Sequence, residues 1–146
     1  MFTGHYKNSL DSKGRVSIPS NFRQTLLTDG FNSLILTNHF DGCLYAYTPE
    51  SWQYILDKVA GLPQSKKEVK AYQRVVISSA VECNLDRHGR ILIPQYLRDE
   101  AMIQKDVLFA GVGTRIEIWS KEVWDNVLEE SKEILSASDT LADLGL

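Results

Sequence analysis

The chain has 146 residues, 43% hydrophobic and 24% charged, and Gly and Pro together fill only 13 positions. That balance belongs to a globular protein with a core of its own and excludes a disordered, collagenous or low-complexity chain. Its apolar runs, such as Val107 to Val112, fall far short of the roughly 18 residues a spanning helix needs, and no apolar leader with a cleavage site follows Met1, so a cytoplasmic protein without membrane contact is expected. The net charge of −3 hides a split: from Lys121 onward two lysines face seven carboxylates, which leaves residues 1–120 at +2, with +3 gathered in residues 7–23 and again in residues 66–74.

Asp11 and Gly14 enclose the first recognisable element, because Asp at the first position of a turn and Gly three residues on suit a type I turn closed by a left-handed glycine, the recipe of a three-residue hairpin loop. Beyond it Val16 and Ile18 alternate with Arg15 and Ser17, a half-buried strand that Pro19 ends. Ser20 to Leu27 places Phe22 and Leu26 at helical spacing, strands follow at Ser33–Thr37 and Cys43–Tyr47, and a helix runs from Thr48-Pro49 to Gly61. Ser65-x-x-Glu68 reads as a capping box opening a helix to about Ser78, with Val69, Tyr72 and Val76 on one face. The order then recurs: a loop at Asp86–Gly89, a strand with Ile91 and Ile93 inward and Arg90 and Leu92 outward, Pro94, a helical segment over Gln95–Met102 carrying Leu97 and Ala101, strands at Val107–Gly111 and Arg115–Trp119, and a helix from Ser120 to about Leu135. The last 11 residues, small, polar and acidic, are expected to be mobile.

The recurrence is an internal repeat. Leu10-Asp11-Ser12-Lys13-Gly14-Arg15-Val16-Ser17-Ile18-Pro19 returns 75 residues later as Leu85-Asp86-Arg87-His88-Gly89-Arg90-Ile91-Leu92-Ile93-Pro94, identical at Leu, Asp, Gly, Arg, Ile and Pro. Phe22-Arg23 matches Leu97-Arg98, and at an offset of 72 the segment Leu44–Thr48 with Trp52 matches Ile116–Ser120 with Trp124. Two units this small cannot each bury much alone, so they are expected to pack about a pseudo-two-fold axis as one α+β, mostly β domain. The divisions expected are a first repeat over 1–61, a helical linker over 62–80, a second repeat over 81–135 and a flexible acidic tail over 136–146.

The doubled Asp-x-x-x-Arg, with Met1-Phe2-x-Gly4-x-Tyr6 at the start and Arg-x-x-Ile-Pro segments ending at Pro19 and Pro94, resembles the MraZ family of bacterial transcriptional regulators over nearly the whole chain. The resemblance implies two AbrB-like β-hairpin half-barrel repeats of the swapped-hairpin type with flanking short helices. It also implies a DNA-binding regulator acting at tandem repeats upstream of the division and cell-wall gene cluster, its own operon included. A ring-shaped homo-oligomer associated with the nucleoid completes that picture.

The residues offer candidates with plain alternatives beside them. Asp11, Gly14, Asp86 and Gly89 are expected to shape the loops, because turn aspartates accept bonds from their own backbone and would sit badly beside phosphate. Arg15 and Arg90 pair with those aspartates or contact DNA; forked donors suit both phosphate and guanine edges. Lys13, Arg87 and His88 occupy loop corners that reach outward, and Lys7, Arg23 and Arg98 are second-rank candidates for DNA contact. The Lys66, Lys67, Lys70 and Arg74 stripe is expected to be a solvated face, and Trp52, Trp119 and Trp124 to fill a core or a subunit interface. Cys43 and Cys83 read as buried reduced thiols, with zinc ligation alongside His39 and His88 the remote alternative. Double-stranded DNA and further copies of the chain are the expected partners, with no cofactor, metal or small-molecule substrate. Neither His5 nor His39 lies in a nucleophile–base arrangement, so an enzyme is not expected; the competing reading is an oligomeric scaffold without specific DNA binding.

Overall fold

The computed structural model describes residues 1–146. Eight strands form two antiparallel sheets. A six-stranded sheet runs in the order β1 (His5–Ser9), β7 (Asp106–Gly111), β8 (Arg115–Ser120), β4 (Leu44–Tyr47), β3 (Ser33–Asn38), β5 (Val81–Asn84). A two-stranded ribbon joins β2 (Arg15–Ser17) to β6 (Arg90–Leu92). No helix is long and apolar enough to cross a membrane.

The halves are contiguous in the chain and interleaved in space. Hairpin β3–β4 of the first half is edged by β5 from the second, and hairpin β7–β8 of the second by β1 from the first. The register places the pseudo-two-fold axis. In β4–β8, Tyr45 faces Glu117, its own equivalent at the 72-residue offset; in β2–β6, Val16 faces Ile91, its equivalent at 75. The hairpin loop expected at Asp11–Gly14 is therefore a turn without a hairpin ladder: β1 and β2 each pair with a strand of the other half.

Two apolar layers hold this arrangement. One face of the large sheet packs Leu34, Leu36, Leu44, Phe109, Ile116 and Ile118 against Val16, Ile18, Ile91 and Ile93 of the ribbon. The same layer takes in Phe22 and Leu26 of α1 (Ser20–Thr28) and Leu97 of α4 (Gln95–Glu100), all at helical spacing as the sequence requires. The other face collects Ile35, Tyr45, Tyr47, Leu108 and Trp119 beneath Trp52 of α2 (Pro49–Ala60), with Tyr72 of α3 (Lys67–Tyr72) and Val123, Trp124 and Val127 of α5 (Lys121–Ala137) packed against them. Covered on both faces, β3 and β4 read as continuous apolar runs rather than as alternation.

Cys43 lies in one layer and Cys83 in the other, so the two thiols cannot share a metal ion; burial pushes the Cys83 thiol up to about 11 and raises Cys43 as well.

Two local expectations need correction. The Ser65–Glu68 capping box does not form: the Lys66 amide donates to the Pro63 carbonyl, the turn consumes Ser65, and α3 starts at Lys67 with no side-chain cap. The regular helix stops at Tyr72 and widens into a π turn over Gln73–Ile77, closed by the Ser78 amide on the Gln73 carbonyl 2.9 Å away. There the Thr37 hydroxyl takes the Val76 carbonyl, which anchors the turn to β3 while Val76 stays fully buried. At the C-terminal end α5 runs to Ala137, close to the expected Leu135, and a short α6 (Thr140–Asp143) follows, opened by the Thr140 amide on Ser138 Oγ.

Candidate nucleic-acid interface

Both Asp-x-x-Gly-Arg segments fold into the same loop. Asp11 Oδ1 accepts from the Lys13 amide at 2.9 Å and the Arg15 amide at 2.9 Å, and its Oδ2 accepts from Arg15 Nε at 2.7 Å. In the second loop Asp86 Oδ1 accepts from the His88 amide at 2.8 Å and the Arg90 amide at 3.0 Å, and Oδ2 from Arg90 Nε at 2.9 Å. Gly14 at φ 87° and Gly89 at φ 74° close the turns. The aspartates thus organise the backbone, the role the turn chemistry assigns them.

The Asp–Arg contact also presents the arginine. Each aspartate occupies only Nε, and the two terminal amino groups of Arg15 and Arg90 have no protein partner. A guanidinium fixed at one nitrogen has lost much of its rotamer freedom while keeping a two-pronged fork free, the geometry that recognises guanine edges or phosphate.

Strong backbone donation has a pH consequence. The Arg15 amide, then the Arg15 side chain and the Lys13 amide, hold the Asp11 carboxyl down to about 2 from its ordinary 3.8, and the Arg90 and His88 groups do the same for Asp86. A depressed carboxyl pKa contributes order above the ordinary value and loses it as pH falls through the lowered one. The loops are expected to hold their geometry to about pH 4 and to loosen between there and about pH 2. Carboxyl carbon shifts followed by NMR titration should show midpoints near 2 for both aspartates; midpoints at the ordinary value would mean that these bonds do not persist in solution.

Arg23 and Arg98 find a place that spacing alone does not announce. Arg98 of α4 donates from Nε to the Ile93 carbonyl at 3.0 Å and lies over Gly14; Arg23 of α1 reaches the His88 carbonyl at 3.3 Å and lies over Gly89. Each loop is covered by an arginine from the other half, and both glycines are buried beneath it. A Cβ on Gly89 would stand 2.2 Å from Arg23 Nη1 and 2.5 Å from its Cδ. Gly89→Ala is therefore expected to cost about 1–2 kcal/mol in backbone strain and to displace Arg23 in addition. Gly30→Ala is the control, since its φ is also positive but nothing lies within 4 Å. Urea unfolding should show the Gly89 variant to be the less stable; equal losses would remove Arg23 from the account.

The two loops flank one face of the ribbon. Antiparallel register sets Arg15 opposite Leu92 and Ser17 opposite Arg90, so the loops leave the ribbon at opposite ends, with Gly14 O accepting from the Ile93 amide and Gly89 O from the Ile18 amide. Arg15, Ser17, Arg90 and Leu92 all point outward between them, and Val16 and Ile91 inward. Lys13, Arg87 and His88 stand exposed at the loop corners, and Lys13 and Arg87 make no ion pair.

Lys7 is not brought here. On β1, Asn8 turns toward the ribbon and donates to the Ser17 carbonyl at 2.7 Å, so Lys7 points to the opposite side, where it meets Asp106 at 3.8 Å. The Lys66, Lys67, Lys70 and Arg74 stripe belongs to α3 and the π turn on the far face of the large sheet. Leu92 and Ser17, by contrast, join the loop residues although sequence reasoning treated them only as the outward half of an alternation.

Comparison with known proteins agrees with this doubled geometry. The family model described as "MraZ protein, putative antitoxin-like" matches twice, over residues 1–75 and 76–144. The chain is 48% identical over 125 residues to the transcriptional regulator MraZ of Caldanaerobacter subterraneus subsp. tengcongensis, covering 86% of this chain and 85% of that protein. The MraZ of Thermoanaerobacter pseudethanolicus is 50% identical over the same shares of the two chains, and that of Pediococcus pentosaceus 40% identical over the whole of both. With a repeat matched on each half and relatives this similar along their length, the chain belongs to the MraZ family.

Proposed function

We propose that this protein is a transcriptional regulator that binds specific double-stranded DNA through the outer face of the β2–β6 ribbon and its two loops. The observation that carries the reading is the pair of arginine forks, Arg15 and Arg90, each pinned at Nε and free at both terminal amino groups. Arg15 and Arg90 read base edges or phosphate, Lys13, Arg87 and His88 hold the flanking backbone, and Asp11, Gly14, Asp86 and Gly89 set the loop shape. Arg23 and Arg98 act as positioning residues above the glycines, and Lys7 is left outside the contact. The relatives' name supports the regulatory role.

The target follows from family resemblance: tandem repeats upstream of the division and cell-wall gene cluster, the protein's own operon included, bound in the cytoplasm at the nucleoid. Several copies act together as a ring. Support for assembly comes from α5, a 17-residue helix without one buried side chain, whose later turns leave Ile134 and Leu135 exposed. The chain organisation proposed with this function is a repeat over 1–61, a linker over 62–80, a repeat over 81–135 and an acidic tail over 136–146.

The test is binding of the purified protein to DNA from upstream of its own gene at several salt concentrations. Selective binding is expected, with log affinity falling by about 0.9 per phosphate contact for each unit of log salt. Absence of selectivity at every salt concentration would leave the scaffold ring as the better reading.

A further inference from the structure

The ribbon face is chemically lopsided. Across the pseudo-two-fold, Arg15 and Arg90 are equivalents, but Ser17 and Leu92 occupy matching places with different side chains. Leu92 stands directly opposite Arg15, and directly opposed residues on one face have Cβ atoms about 5 Å apart. It is 53% exposed, while the apolar residues of both ribbon strands, Val16 and Ile91, turn the other way into the core. Its neighbours on that face are Arg15, directly opposite, with Ser17 and Arg90 beyond, so a single leucine stands among polar and cationic groups and offers far less apolar area than a protein or membrane interface needs. A two-stranded ribbon with strands about 4.8 Å apart fits a major groove about 12 Å wide, and there the one apolar group on a base edge is the thymine methyl.

We propose that Leu92 is a specificity-determining residue that reads the 5-methyl group of a thymine next to the base reached by Arg15. Ser17, in the matching place beside Arg90, is indifferent to that methyl, since a hydroxyl serves either kind of base edge. The inference rests on the DNA-binding function proposed above. It gives the contact a direction: one end of the site demands a methyl and the other does not, so a protomer reads its site in a single orientation and suits head-to-tail rather than inverted copies.

The experiment amplifies the DNA immediately upstream of the protein's gene with either dTTP or dUTP, which differ only by the 5-methyl, and compares affinities. Wild type is expected to prefer the thymine fragment by about fourfold for each methyl contacted, the value of one buried carbon. Leu92→Ser makes the two halves alike and should bring the ratio to about one while the variant still prefers this DNA to an unrelated fragment. Leu92→Met keeps an apolar tip and should keep the preference. No thymine preference in wild type, or the same preference in the folded Leu92→Ser protein, overturns the role of Leu92 and leaves DNA binding standing. Failure of both fragments to exceed unrelated DNA overturns the two together.

Discussion

Replacing Arg15 and Arg90 together by alanine is expected to abolish selective DNA binding while the protein stays folded and assembled. Each fork is partly exposed, with its terminal amino groups free, and its aspartate partner is exposed as well, so no buried partner is orphaned by truncation. The aspartates keep the amide donations that shape the loops. A bidentate arginine contributes about 1–3 kcal/mol of base discrimination, so losing two should cost at least about 30-fold and up to about 10⁴-fold in affinity for the cognate duplex. The salt dependence separates base from phosphate contact. If both forks held phosphate, the slope of log affinity against log salt would fall by about 1.8; base contacts leave the slope nearly unchanged and remove the selectivity. A companion Lys13→Ala, Arg87→Ala protein should weaken binding to all DNA alike and flatten the slope. Titration by fluorescence anisotropy, with circular dichroism and sedimentation as controls for fold and assembly, reads all of this. Unchanged affinity in a folded double variant would remove the ribbon face as the DNA-binding surface.

How much of this was legible from the chain differs by element. The loops were, because Asp-x-x-Gly is local chemistry: the hydrogen bonds of Asp11 and Asp86 span four residues or fewer. The inward set of Val16, Ile18, Ile91 and Ile93 was too, since alternation in a strand fixes the face without naming the partner. The partner itself was not. That β1 pairs with β7, and β5 with β3, depends on contacts between distant segments, for which neither pattern nor propensity carries a signal. The placement of Arg23 over Gly89 and Arg98 over Gly14 follows from the same exchange, although the Phe22-Arg23 and Leu97-Arg98 correspondence marked them as a pair. The position of Lys7, a second-rank candidate by its charge, was not legible either, since the pleat of β1 sends it to the face away from the ribbon. The capping box failed because a motif over four residues is overruled when the preceding Pro63 turn already claims its serine.

A duplex carrying one repeat is expected to bind about 10²- to 10⁴-fold more weakly than one carrying several evenly spaced repeats. In the proposed contact one protomer brings Arg15, Arg90, Lys13, Arg87 and His88 as its polar and cationic groups, a handful whose affinity is modest and salt-sensitive. In the proposed ring, a first protomer bound to its repeat holds the second near the next repeat at an effective concentration on the order of millimolar, and affinity rises without any new contact. Spacing then becomes the decisive variable. A ribbon face must meet each successive major groove from the same side of the duplex, so inserting about five base pairs between repeats turns the second site to the far side and should erase the gain. Inserting about ten restores the facing and should recover most of it, less the lengthened reach. Independent protomers would show no such periodicity, and equal affinity for one and several repeats would sink the ring while leaving the single-protomer contact intact.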